Sequence, residues 1–290
     1  MSARDGFPLG LVHGLAIEEY HASAGVSNSG LSDFARSPLH YHALHLNPDR
    51  PPVEETPAQL AGNLAHCAIL EADCFEKRYA IGPNVRRGTK VWDAFEASLL
   101  PSQTGIKPDQ AMVARAQAAS VRSIPDLAAL LAKGDAEVSA WWADPATGML
   151  CRCRPDFVHP VRDDAVILVD VKSCGDASPA QFARQIGRMA YHRQAALYTD
   201  GYEAASGKTV LAFIFAAVET SWPFAASAVM LDDESLELGR AENRALLERF
   251  AECERTDSWP GYSDSIEMVT LPRWLATEQI TTTTEESEPA

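Results

Sequence analysis

Asp170 and Lys172 stand two residues apart at the end of the apolar run "ILVDVKS" (167–173), and Asp156 lies upstream in "RPD" (154–156). If the run is a strand, alternation puts Asp170 and Lys172 on one face and Val169 and Val171 on the other. Burying either charge alone costs several kcal/mol, and a neighbouring ion pair repays that only in part. Two carboxylates brought close repel each other unless a cation lies between them. A divalent ion held by hard oxygen ligands, with an ammonium beside it, is what hydrolysis of a phosphodiester requires: the ion meets the developing charge, and Lys172 orients or deprotonates the attacking water. A D-x-K spacing alone equally describes a surface ion pair, so the flanking elements decide between the two.

Three stretches rich in β-formers precede or contain these residues: 136–144, 149–159 and 165–173, separated by "PATG" and "PVRDD". They predict an antiparallel meander in which Asp156 ends the strand "CRCRPD" and a hairpin brings it beside Asp170. Downstream, 178–206 reads as one or two helices opened by Ser178 as N-cap and Pro179 in the first turn. Strands over 210–219 and 224–231 and an amphipathic helix to about Cys253 follow. Upstream, 27–47 reads as two short helices broken at Ser37-Pro38, with a linker at Pro51 and Pro52. A helix runs from Pro57 to about Tyr79, its apolar face formed by Leu60, Leu64, Cys67, Ile69 and Leu70, with His66 inside it. Another helical region spans Pro108 to Leu131. Strands joined by a crossover helix indicate an α/β fold, a mixed central sheet flanked by helices. No internal repeat is evident.

The chain has 290 residues, of which 46% are hydrophobic, enough for a substantial core. We divide it into an N-terminal extension (1–19), one domain (20–275) and an acidic tail (276–290), whose "TTTTEESEPA" has the composition of a disordered segment. The longest apolar stretch, 210–218, is about half of what a membrane helix needs, and the first residues lack the pattern of a secretion signal. No membrane association is expected, and the expected location is the cytoplasm. The six cysteines show no C-x-x-C pair or zinc-ligand spacing, so reduced, buried thiols are expected and an iron–sulfur cluster is not. The formal charge of −15 points away from nucleic acid as a partner. Basic residues nevertheless gather at Arg86, Arg87 and Lys90 and in the series Arg152, Arg154, Arg184, Arg188 and Arg193, which allows a basic groove on an acidic body. Arg154 and Arg193 suit phosphate or a structural salt bridge equally. His40, His42 and His45 are read as surface or packing residues, because helical spacing spreads them around the axis.

Taken together, "RPD" (154–156), "DVK" (170–172), "QAALY" (194–198) and "GNLAHCAILE" (62–71) resemble the PD-(D/E)xK pattern with the Q-x-x-x-Y motif of RecB-like exonucleases. The sequence is most similar to the exodeoxyribonuclease VIII-like (RecE-type) nuclease domain of phages and prophages. The resemblance runs from about Tyr20 to Pro272 and includes "SNSGLSDFARSP", "RRGTKVWDAF" and "SWPGYS". It implies a restriction-endonuclease-like core in which His66, Asp156, Asp170 and the Val171 carbonyl bind metal and Lys172 is catalytic. Gln194 and Tyr198, on one helix face, would hold the DNA strand and the site, and Glu137 matches an acidic position before the first strand. Arg154, Arg193, Arg86 and Arg87 are the candidate DNA contacts. The implied cofactor is Mg2+, with Mn2+ as a substitute. The implied activity is removal of one strand from duplex DNA ends in the 5′ to 3′ direction for a single-strand annealing protein, by a ring-shaped homo-oligomer. Two other readings stay open: a catalytically silent DNA-binding accessory protein, and an endonuclease or nickase using the same residues.

Overall fold

The computed structural model describes residues 9–52 and 55–271; the acidic tail read from sequence lies outside the described residues. In chain order the elements are β1 (Gly10–Val12), α1 (Ile17–Ala22), α2 (Asn28–Arg36) and α3 (Pro38–Tyr41), which continues into a π-helical turn over His42–Leu46. Then come α4 (Pro57–Leu70), a 3-10 turn (Ala72–Cys74), α5 (Phe75–Arg78), β2 (Tyr79–Ile81), α6 (Lys90–Glu96), β3 (Thr104–Ile106), α7 (Pro108–Arg122) and α8 (Pro125–Leu130). The remainder comprises β4 (Asp135–Ala136), β5 (Ser139–Ala143), β6 (Leu150–Cys153), β7 (Phe157–Arg162), β8 (Ala165–Cys174), α9 (Pro179–Met189), α10 (Tyr191–Ser206), β9 (Thr209–Glu219), β10 (Ala226–Met230) and α11 (Asp233–Thr256).

Five strands form the central sheet in the order β10-β9-β8-β7-β4, mixed because β8 and β9 run parallel across the α9–α10 connection. A second, three-stranded sheet has the order β1-β5-β6. The expected meander over 136–173 is thereby corrected. The stretch 136–144 divides between β4 and β5, and 149–159 divides between β6 and β7, so the chain leaves the central sheet and returns to it. The return breaks at Arg154-Pro155-Asp156, where proline lacks the N–H that a continuous ladder would use. Asp156 therefore precedes β7 instead of ending the strand before it. β1, within the stretch read as an extension, pairs with β5.

The helix read as running to Tyr79 ends at Leu70, then turns through the 3-10 segment and α5; the region 108–131 breaks at Pro125. Helix α4 begins with a capping box between Thr56 and Gln59. Its last carbonyls, those of Ala68 and Ile69, accept from the Arg122 guanidinium of α7. Ser178 occupies the N-cap of α9 but its side chain makes no capping bond; its N–H donates to Asp176 instead.

Alternation along β8 builds two cores. Val169 and Val171 pack towards α4 and α7 with Leu64, Ala68 and Ala114, while Leu168 packs with Phe182, Ile186, Ala195 and Phe215 towards α9 and α10. Fully burying side chains of this size contributes roughly 1.5–3 kcal/mol each. A third cluster joins the small sheet to α2, α10 and α11 through Phe34, Trp142, Leu197 and Phe250. Helix α10 is pressed from two sides. A Cβ on Gly201 would fall 2.3 Å from the Trp142 ring, and one on Gly239 of α11 would fall 2.4 Å from the His192 carbonyl oxygen.

Candidate metal centre

The register Phe157↔Val169, continued by one residue, sets Asp156 opposite Asp170. Strand β8 overhangs β7 there, so the edge of Val171 on that side has no strand partner. Its N–H donates to Asp156 Oδ2 at 2.7 Å, and its carbonyl oxygen lies 2.9 Å from His66 Nε2 of α4. His66 Nδ1 is 3.4 Å from the same Asp156 oxygen. The peptide group left over by an unequal pair of strands thus becomes part of the centre.

On the opposite face of β8, Asp170 is fully buried. It accepts from Gln194 Nε2 at 2.7 Å and pairs with Lys172 Nζ at 2.5 Å. The ammonium also stands 4.8 Å from the centre of the Tyr191 ring. The two charges therefore sit on one face, as alternation requires. Burial alone would lower the Lys172 pKa, but Asp170 and Asp156 beside it raise it above its ordinary value.

Glu137 enters through the chain's other crossing. It lies between β4 and β5 in a left-handed conformation (φ 56°), and its N–H donates to the Asp156 carbonyl at 2.9 Å. Left-handed backbone at a residue other than glycine is uncommon and costs on the order of 1–3 kcal/mol. Arg154 secures it: Nε donates to Glu137 at 2.7 Å, and the other guanidinium nitrogens donate to Ser139 Oγ and the Leu15 carbonyl, each at 3.0 Å. The two places where the chain passes between sheets lie side by side, and each supplies a carboxylate.

Ligand atoms of His66, Glu137 and Asp156 all lie within 4.8 Å of one another. Burial, then Asp170, pushes the Asp156 carboxyl well above the usual carboxylate range. Burial, then Asp156, raises Glu137. Burial, then Lys172, lowers His66 and favours the neutral imidazole that a metal needs. Crowded acids, a neutral histidine and a carbonyl outside any strand ladder fit a divalent cation that prefers oxygen. Asp170 differs from this trio because the protein's own Lys172 and Gln194 already meet it.

The other expected residues divide. Gln194 and Tyr198 are on one face of α10; burial pushes the Tyr198 hydroxyl well up, and Asp170 and Asp156 are near enough to add to this. That hydroxyl makes no hydrogen bond among the described residues. Arg154 is committed to Glu137, Ser139 and Leu15, and Arg193 is 3.7 Å from Glu242, so both form structural pairs. Arg87 lies over Trp92 and bonds to the Gly105 carbonyl; Arg86 is exposed on the same loop. All six cysteines are free thiols, five of them buried. His45 pairs with Asp33, and His40 bonds to Ser37, in keeping with packing roles. No helix among the described residues is long and apolar enough to cross a membrane.

A family described as "PDDEXK-like domain of unknown function (DUF3799)" matches residues 27–272. The structure is similar to the crystal structure of a "Putative exonuclease" from Eubacterium rectale, with a TM-score of 0.59 and 16% sequence identity over 92% of this chain and 99% of that one. No curated protein matches the sequence. The likeness establishes the α/β fold, a mixed central sheet flanked by helices.

Proposed function

Because the chain belongs to the PDDEXK-like family matched over residues 27–272, we propose that it is a metal-dependent DNA exonuclease of the RecE type. The observation that carries this reading is the approach of His66, Glu137 and Asp156 to one point, beside the Val171 carbonyl and the Asp170–Lys172 pair.

In this reading His66, Asp156, Asp170, Glu137 and the Val171 carbonyl would hold Mg2+, for which Mn2+ would substitute. When bound, the metal supplies charge to the phosphate oxygens and lowers the pKa of water. Lys172 orients the attacking water, and Asp170 fixes the ammonium in place. Gln194 holds Asp170, and the Tyr198 hydroxyl is available to a phosphate oxygen. Arg154 acts through Glu137, and Arg86 is the candidate for a direct DNA contact.

The substrate is the end of linear duplex DNA, one strand of which is removed 5′ to 3′ to expose the other to a single-strand annealing protein. A ring-shaped homo-oligomer in the cytoplasm would reconcile an acidic exterior with DNA passage. The full set of acids with Lys172 supports turnover over a silent accessory role. The test is incubation with end-labelled linear duplex, with and without Mg2+, alongside closed circles. Magnesium-dependent shortening from 5′ ends with circles intact is expected. Nicked circles would establish an endonuclease, and full turnover in excess chelator would overturn the metal reading.

A further inference from the structure

Lys172 is met by more than a carboxylate. Its ammonium lies over the face of the Tyr191 ring, 4.8 Å from the centre, a distance at which the electron-rich face of a ring attracts a cation. The lysine side chain is only 16% exposed, so little water competes with that contact. The Tyr191 hydroxyl makes no hydrogen bond among the described residues, which leaves the ring as the working part.

The ring is held from behind, independently of Lys172. It packs on Phe182 and Phe215, with ring centres 6.4 and 6.0 Å away, and Phe215 pairs with Asp170 in the register of β8 and β9. Ala190, just before it, joins α9 to α10 in the left-handed region (φ 53°), which a residue other than glycine seldom enters. That turn sets the direction in which Tyr191 leaves the backbone. The first turn of α10 is then pinned by α11. Asn243 Nδ2 donates to the Arg193 carbonyl at 2.8 Å, and Gly239 lies against the His192 carbonyl where no Cβ would fit. Uncommon backbone of this kind persists only where the surroundings enforce it, and here it presents an aromatic face to the lysine.

A lysine needs such a guide, because its ammonium sits on a flexible four-carbon stem and carries three rotatable donors. Asp170 holds it at 2.5 Å, but one carboxylate contact leaves the stem free to swing about it. A ring face on a second side removes that freedom and leaves the third side open.

We propose that Tyr191 is a positioning residue whose ring face, and not its hydroxyl, holds the Lys172 ammonium on Asp170 with its open side towards the attacking water. The role of the water rests on the nuclease reading; the hold of the ring on the ammonium does not. Two measurements on the full chain separate them. The first is NMR of protein isotope-labelled at lysine Cε, which carries six lysines; the Lys172 signal is the one that disappears in Lys172→Arg. Protons over an aromatic face are shifted upfield by the ring current. The Lys172 ε-methylene is therefore expected upfield in the wild type and in Tyr191→Phe, but not in Tyr191→Leu, which keeps apolar bulk against Phe182 and Phe215. The second is turnover of end-labelled linear duplex with Mg2+. Tyr191→Phe should keep the wild-type kcat and KM. Tyr191→Leu should lower kcat about ten-fold, the scale of a desolvated cation–π contact, with KM and the far-UV circular dichroism held. No upfield shift in the wild type, an equal loss of turnover in the Phe and Leu variants, or a wild-type kcat in Tyr191→Leu overturns the proposal. A ring-dependent upfield shift in a wild type that cleaves nothing would sink the nuclease reading and leave the hold on the ammonium standing.

Discussion

Asp156 and Asp170 stand opposite each other at adjoining strands, yet the molecule treats their charges differently. Asp170 is answered from within, by Lys172 at 2.5 Å and Gln194 at 2.7 Å. Asp156 faces Glu137 and a neutral-leaning His66, and its strongest bond is from a backbone N–H. One half of the centre already sets an ammonium against its carboxylate, whereas in the other Arg154 meets Glu137 and no lysine or arginine pairs with Asp156 among the described residues. If the proposed cation binds on the Asp156 side and Asp170 reaches it from the other, the two carboxylates differ in what they do for stability.

The sharpest way to break the comparison is to remove one acid from each half. Asp170→Asn and Lys172→Ala are expected to lower nuclease turnover by at least about 1,000-fold, the scale on which single key groups act, with the far-UV circular dichroism retained. Asp170→Asn should also destabilise the protein, because it strands a buried ammonium; breaking such pairs costs about 3–5 kcal/mol. Asp156→Asn should abolish turnover equally but act on stability in the opposite sense. Relief of repulsion should raise the melting temperature of the metal-free protein by a few degrees, at about 2–4 °C per kcal/mol for domains approaching this size. The rise that divalent metal gives the wild type should vanish. Differential scanning calorimetry with and without Mg2+ reads both effects, and a lower Tm for metal-free Asp156→Asn would refute the two-half description.

Smaller changes sharpen it. Glu137→Gln, which keeps an oxygen donor but removes its charge, is expected to reduce turnover about 10- to 100-fold and to weaken the metal-induced stabilisation. Arg154→Ala should follow in the same direction because it frees Glu137, whereas a variant at Arg193 should leave metal titration unmoved. The smallest effect is a control outside the centre. Arg244 grips Asp144 through two bonds of 2.8 Å. Burial alone would raise Asp144, but Arg244 and Thr147 bring it down to about 2. A carboxyl lowered in the folded state stabilises above its unfolded pKa of about 3.9 and loses that contribution as pH falls towards 2. The Tm gap between wild type and Arg244→Ala should therefore be about constant from pH 5 to 7 and close between pH 4 and 2.

Much of this was legible in the sequence, for identifiable reasons. The apolar runs of β8 and β9 and the amphipathic pattern of α11 fixed type and extent, and strand alternation placed Asp170 with Lys172. What alternation does not encode is which sheet a strand joins. Ser139–Ala143 and Leu150–Cys153 carry the same β-forming signal as their neighbours but lie in the second sheet. Pro155 was the visible clue to one crossing; the left-handed turn at Glu137 left none, since glutamate seldom adopts it. Likewise, no spacing rule could foresee Arg154 bonding to Glu137 or Arg193 pairing with Glu242, because such pairs depend on tertiary approach.

Gly201 and Gly239 have a mechanical consequence. Trp142 packs against one side of α10 and α11 against the other, each at a glycine where no Cβ would fit. The same helix carries Gln194, whose amide donates to Asp170, so the packing of the small sheet and the position of that carboxylate share one element. A single rod thus joins the Trp142 wall to the carboxylate that anchors Lys172, and bulk added at position 201 would bear on that carboxylate from outside the centre.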